Sequence, residues 1–166
     1  MRITGKRSIT GFLKLAVGIT LVLNLLVLIA LPFLLDLIYS SAGTSEYVEN
    51  SLWLLNEIPK ESYTFMLIFL YVSGVCTMVM LFSLFKVLKN LADNKILEHS
   101  NASMFRILFY SCLPLIAAFV FKIIFYNTLL TMFCFFLFIL LALFSLIMAE
   151  VFRQGATVKE ENDLTI

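Results

Sequence analysis

The residues able to do chemistry are few and scattered. A single histidine, His99, lies near Asp93 and Glu98, a set that could serve general acid–base transfer. Neither a partner histidine nor an HExxH arrangement accompanies it, so a solvated loop accounts for it better. Cys76, Cys112 and Cys134 each stand inside a long apolar stretch with no CxxC neighbour. Thiols so placed read as small apolar side chains, not as a disulfide framework or a zinc site. Glu46, Glu49, Glu57 and Glu61 gather four carboxylates without the spacing of a calcium loop, which is the pattern of a solvated face. The chain has no GxSxG, Walker loop or dinucleotide fingerprint. These observations predict no enzyme, no cofactor and no metal.

The elements that would position any such groups are apolar. Hydrophobic residues make up 61% of the 166 residues and charged residues 14%, against about 45–50% and about 25% in soluble domains. One soluble core could not hide that much apolar surface, so lipid must be part of the solvent. The net charge of +1 steers neither nucleic acid nor an acidic substrate, and no direct nucleic-acid binding is expected. A helix needs about 20 apolar residues to cross the hydrocarbon. Spans are expected at 12–35, 63–85, 105–126 and 128–152, the last two divided at Tyr126-Asn127-Thr128. An outer loop at 36–62, an inner loop at 86–104 and a tail at 153–166 complete one four-helix membrane domain, residues 1–166. The first apolar run is too long for the core of a signal peptide and is expected to stay as an anchor.

Basic residues set the expected orientation. Ten of the twelve precede or open span one, lie between spans two and three or at the opening of span three, or follow span four; the outer loop has Lys60 alone among five acids. The positive-inside rule then puts both termini in the cytoplasm. Within the outer loop, Val48, Leu52 and Leu55 share a helical face and Trp53 suits the headgroup level. A short interfacial helix ended by Pro59 is expected there. The predicted fold class is therefore an all-α integral membrane protein with four transmembrane helices.

Small residues mark helix contacts in lipid. Span four carries Thr131, Cys134, Ala142, Ser145 and Ala149 at helical spacing, completed by Phe138, and span two offers Ser73, Gly74 and Thr77. These predict internal packing or a homo-oligomer. Of the polar residues within spans, Lys122 is expected to snorkel to the outer headgroups and Asn24 to seek a partner helix. Arg106 and Glu150 lie at the same end of neighbouring antiparallel spans, which predicts an ion pair between them. Gly155 is placed to cap span four, with Arg153 in the last turn. The residues after it are too polar for lipid and read as a tail able to dock as a linear motif.

Two segments carry the least random pattern. One runs from Leu91 to Arg106, followed by Tyr110; the other is Ala149-Glu150-Val151-Phe152-Arg153-Gln154-Gly155, continuing to the terminal Glu160-Glu161-Asn162-Asp163-Leu164-Thr165-Ile166. Together they resemble the bacterial four-span membrane proteins grouped as domain of unknown function 2975 (DUF2975). In the resembling pattern Asn101, Arg106 and Tyr110 hold their places, while Asn94 stands for a turn glycine, Leu97 for a phenylalanine, Phe105 for a leucine and Phe109 for a second glycine. The resemblance implies a multi-pass protein of the bacterial plasma membrane. Genes of this family often neighbour one for a small helix-turn-helix repressor, which implies a regulatory pair. The partner-binding residues would then be Asn101, Arg106, Glu150, Arg153, Gly155, Glu161, Asn162, Asp163, Leu164, Thr165 and Ile166. A small transporter or channel subunit, or a packing and assembly protein, is the alternative reading; neither midplane carboxylate pairs nor broken helices favour the transporter.

Overall fold

Long apolar runs without water to bond their backbone have one open-ended solution, the α-helix, and the computed structural model is built from four. It describes residues 9–41, 47–48, 58–59, 62–126 and 128–163. Helix α1 spans Ile9–Ser41, α2 Tyr63–Ala92, α3 His99–Phe125 and α4 Leu129–Asp163. All four are long and apolar enough to cross a membrane. Between α1 and α2 a two-residue ribbon pairs β1 (Tyr47–Val48) with β2 (Ile58–Pro59), Tyr47 opposite Pro59. Val48 and Pro59 therefore belong to extended backbone, not to an interfacial helix; Leu52, Trp53 and Leu55 lie outside the described residues.

The helices pack in a row. The principal seams are α1 with α2, α2 with α3 and α3 with α4. On α4 the small-residue stripe faces inward: Thr131, Ala142, Ser145 and Ala149 are all buried, and Cys134 and Phe138 pack on the central cluster of Met80, Leu108, Cys112, Leu115 and Phe119. Phe119 links the helices, its ring 5.2 Å from Phe69 on α2 and 5.4 Å from Phe138 on α4. Gly74 lets α1 come close: a Cβ there would fall 2.5 Å from Leu28 Cδ2. Among the described residues the Asn24 Oδ1, for which a partner was expected, is buried without a hydrogen bond, as is Ser73 Oγ.

At the ribbon end, Tyr39 of α1 shares a 3.0 Å hydrogen bond with Ser62 and sets its ring edge-on to Tyr63. The α3–α4 hairpin turns between Phe125 and Leu129. Thr128 begins α4 by accepting the Thr131 N–H on its Oγ1 at 3.2 Å, which satisfies one of the free donors of a helix start. Lys122 finds partners within the protein. Its Nζ donates to Thr131 Oγ1 at 2.8 Å and sits 5.4 Å from the centre of the Phe69 ring, so α4 and α2 both hold it.

Candidate functional site

The two segments singled out in the sequence meet at the opposite, basic end. Helix α2 stops at Ala92, and the chain reverses through a six-residue connection, 93–98, before α3 begins at His99. The stop is a Schellman turn. Asn94 N–H bonds Leu91 O at 3.2 Å and Lys95 N–H bonds Asn90 O at 2.8 Å, the two bonds that close such a helix end. Asn94 takes a left-handed φ of 60°, a conformation that glycine and asparagine accept with least strain. That is the physical reason asparagine can stand where the resembling pattern has glycine.

Asn101 holds this turn from below. It is fully buried, and its Nδ2 donates to Lys95 O at 2.9 Å and to Ile96 O at 2.8 Å. Its Oδ1 accepts from Asn90 Nδ2 at 2.7 Å. One side chain thus ties the end of α2, the connection and the first turn of α3 together. Asn101 was expected at a partner surface; the structure makes it an internal strut instead, because two loop carbonyls have no other donor among the described residues.

Helix α4 then covers the connection. Gly155 does not cap it: the helix runs through Gly155 to Asp163. With 35 residues α4 is about 52 Å long, well beyond the ~30 Å of hydrocarbon. Gly155 serves close approach, since a Cβ there would lie 2.7 Å from Leu97 Cδ2. The buried stripe continues past Ala149 to Ala156, and Phe152 stacks on Phe105 with ring centroids 5.2 Å apart. His99 Nε2 approaches Glu160 Oε1 at 3.3 Å. The supposed tail is therefore a helix seated on the connection between α2 and α3, and residues 160–163 are its last turn.

The remaining expected residues are placed as follows. Arg106 is exposed on α3 and, among the described residues, makes no ion pair with Glu150. Glu150 instead takes Arg153 of its own helix, Nη2 to Oε1 at 2.6 Å and Nε to Oε2 at 2.9 Å, with Gln154 adding a bond at 2.9 Å. A neighbour at i+3 reaches the carboxylate without crossing between helices, and it wins. Glu161, Asn162 and Asp163 close α4, with the side chains of Glu161 and Asn162 exposed. Leu164, Thr165 and Ile166 lie outside the described residues.

Sequence reasoning missed Asn90, Leu97, His99 and Ala156 as parts of this assembly. The helical spacing of Ala142, Ser145, Ala149, Phe152 and Ala156 was a readable signal that α4 continues. Among the described residues no cluster of three His, Cys, Asp or Glu side chains could hold a metal.

Comparison with curated proteins and with solved structures finds no match. A comparison with known protein families matches residues 38–166 to one described as a protein of unknown function, DUF2975. The match takes in α2, α3 and α4 and both segments that meet at the basic end, and the chain belongs to this DUF2975 family.

Proposed function

We propose that this chain is a multi-pass protein of a bacterial plasma membrane that regulates by holding a cytoplasmic protein on the extension of α4. By the family resemblance that protein is a small helix-turn-helix regulator. The observation that supports the reading is the extension itself. About three further turns of α4 follow residue 152, and they are fastened along one face by Leu97 and His99. The other face carries Gln154, Glu161 and a 56% exposed Val158 in otherwise polar surroundings. A pre-ordered helix loses little conformational entropy when a groove closes on it. The cytoplasmic placement rests on the split of basic residues between the two sides. This reading assigns the chain no catalytic step.

The test is Val158→Asp at matched membrane abundance, with capture of a small helix-turn-helix regulator, of the kind often encoded beside genes of this family, and transcription of its target as readouts. Val158 is exposed, so insertion and folding should stand while capture and regulation fail. Equal capture and equal transcription would remove the α4 extension from the mechanism. Reporter fusions after Ile166 and within 46–57 check the orientation; an external signal from the terminus would overturn it.

A further inference from the structure

The seam between α1 and α2 is tight at Leu28 and Gly74 but opens toward the basic end. There a cleft of about 640 Å³ lies between the helices, walled by Gly11, Leu15, Gly18 and Phe85 with Lys14 and Asp93 at its polar margin. Its size falls within the about 300–1,000 Å³ of small-molecule sites. The walls are apolar, and Gly18 leaves the Phe85 ring uncovered: a Cβ there would stand in ordinary contact at 3.5 Å.

The two charges give the cleft its chemistry. Lys14 is half-buried, its Nζ 5.8 Å from the centre of the Phe85 ring, and among the described residues no carboxylate comes within ion-pair distance of it. Residues 1–8 contain no Asp or Glu, so they cannot supply one. Asp93, the exposed C-cap of α2, uses its backbone N–H on Lys89 and Leu91 carbonyls, and its carboxylate likewise has no ion pair among the described residues. A half-buried ammonium calls for an anion. A purely anionic headgroup would meet repulsion from Asp93, whereas a phosphate followed by a primary ammonium would meet one opposite charge at each step. A trimethylated ammonium has no N–H to offer Asp93.

We propose that this cleft holds one phospholipid with a primary-ammonium headgroup, its phosphate on Lys14, its ammonium on Asp93 and an acyl chain along Leu15, Gly18 and Phe85. The test is native mass spectrometry of the full chain, delipidated in mild detergent and offered equimolar phosphatidylethanolamine, phosphatidylcholine and phosphatidylglycerol of identical acyl chains. Wild type should retain one phosphatidylethanolamine with about tenfold preference, the effect of one charge-assisted hydrogen bond. Asp93→Asn should erase the preference, Lys14→Gln should weaken retention of all three lipids, and Gly18→Leu should fill the cleft and abolish retention. Both margin variants change polar groups outside the apolar walls, and unchanged thermal melting verifies their fold. Equal retention of the three lipids by wild type, an unaltered preference in Asp93→Asn, or a lipid-free dimer occupying the cleft would each overturn the proposal.

Discussion

Replacing Asn101 by alanine should loosen the whole basic end. The change removes two bonds donated to Lys95 O and Ile96 O and one accepted from Asn90. At about 0.5–1.5 kcal/mol net for each bond, the loss is roughly 2–4 kcal/mol. The lower half of that range applies if the loop carbonyls, whose side chains are exposed, become hydrated. Asn101→Asp separates geometry from chemistry. It keeps the shape and the acceptor for Asn90, yet it turns an oxygen toward two carbonyls, so it should be no better than alanine. Asn90→Ala loses one member of the network and should cost about 1 kcal/mol; together with Asn101→Ala it should show coupling, because the two residues share a bond. The assay is reversible unfolding in mixed micelles followed by circular dichroism, with proteolysis after Lys95 as a local probe. A stability within about 0.5 kcal/mol of wild type for Asn101→Ala, or a neutral Asn101→Asp, would refute the strut.

Three more outcomes are expected. Gly74→Ala should destabilise the α1–α2 seam by about 1–3 kcal/mol through overpacking against buried Leu28, measured by the same unfolding assay; an unchanged midpoint would show that α1 yields freely. Arg106→Ala and Glu150→Ala should couple more weakly in a double-mutant cycle than Arg153→Ala and Glu150→Ala, since the Arg106 charge acts on Glu150 only from a distance. Thr131→Val alone, which strands the Lys122 ammonium, should impair thermal stability more than Thr131→Val combined with Lys122→Met; equal impairment would deny the contact.

The four helices were legible because apolar length alone selects them, and the inward stripe of α4 was legible because its small residues recur at helical spacing. What escaped was whatever depends on residues brought together by the turns. Gly155 looks like a cap when read beside the polar residues that follow it. Its actual use is set by Leu97, far away in the chain, and helix propagation past it costs little once the stripe is anchored at Ala156. Arg106 and Glu150 were correctly placed at one end, but level in the membrane does not decide contact when a closer partner is available at i+3. Lys122 met Thr131 because the hairpin folds them together, a turn geometry that the sequence marks without specifying. Asn101 stood out through the family pattern, yet its role required the carbonyls freed by the Schellman turn.

The arrangement of helices in a row bears on how the protein is made. Each new helix leaving the translocation machinery finds its principal packing partner in the helix just before it. Assembly can thus keep pace with synthesis, one antiparallel hairpin at a time, without the first helix having to find the last. Contacts so close in sequence favour quick docking. The same order makes α1, secured along one main seam, the segment that can part from the others at least expense to the rest.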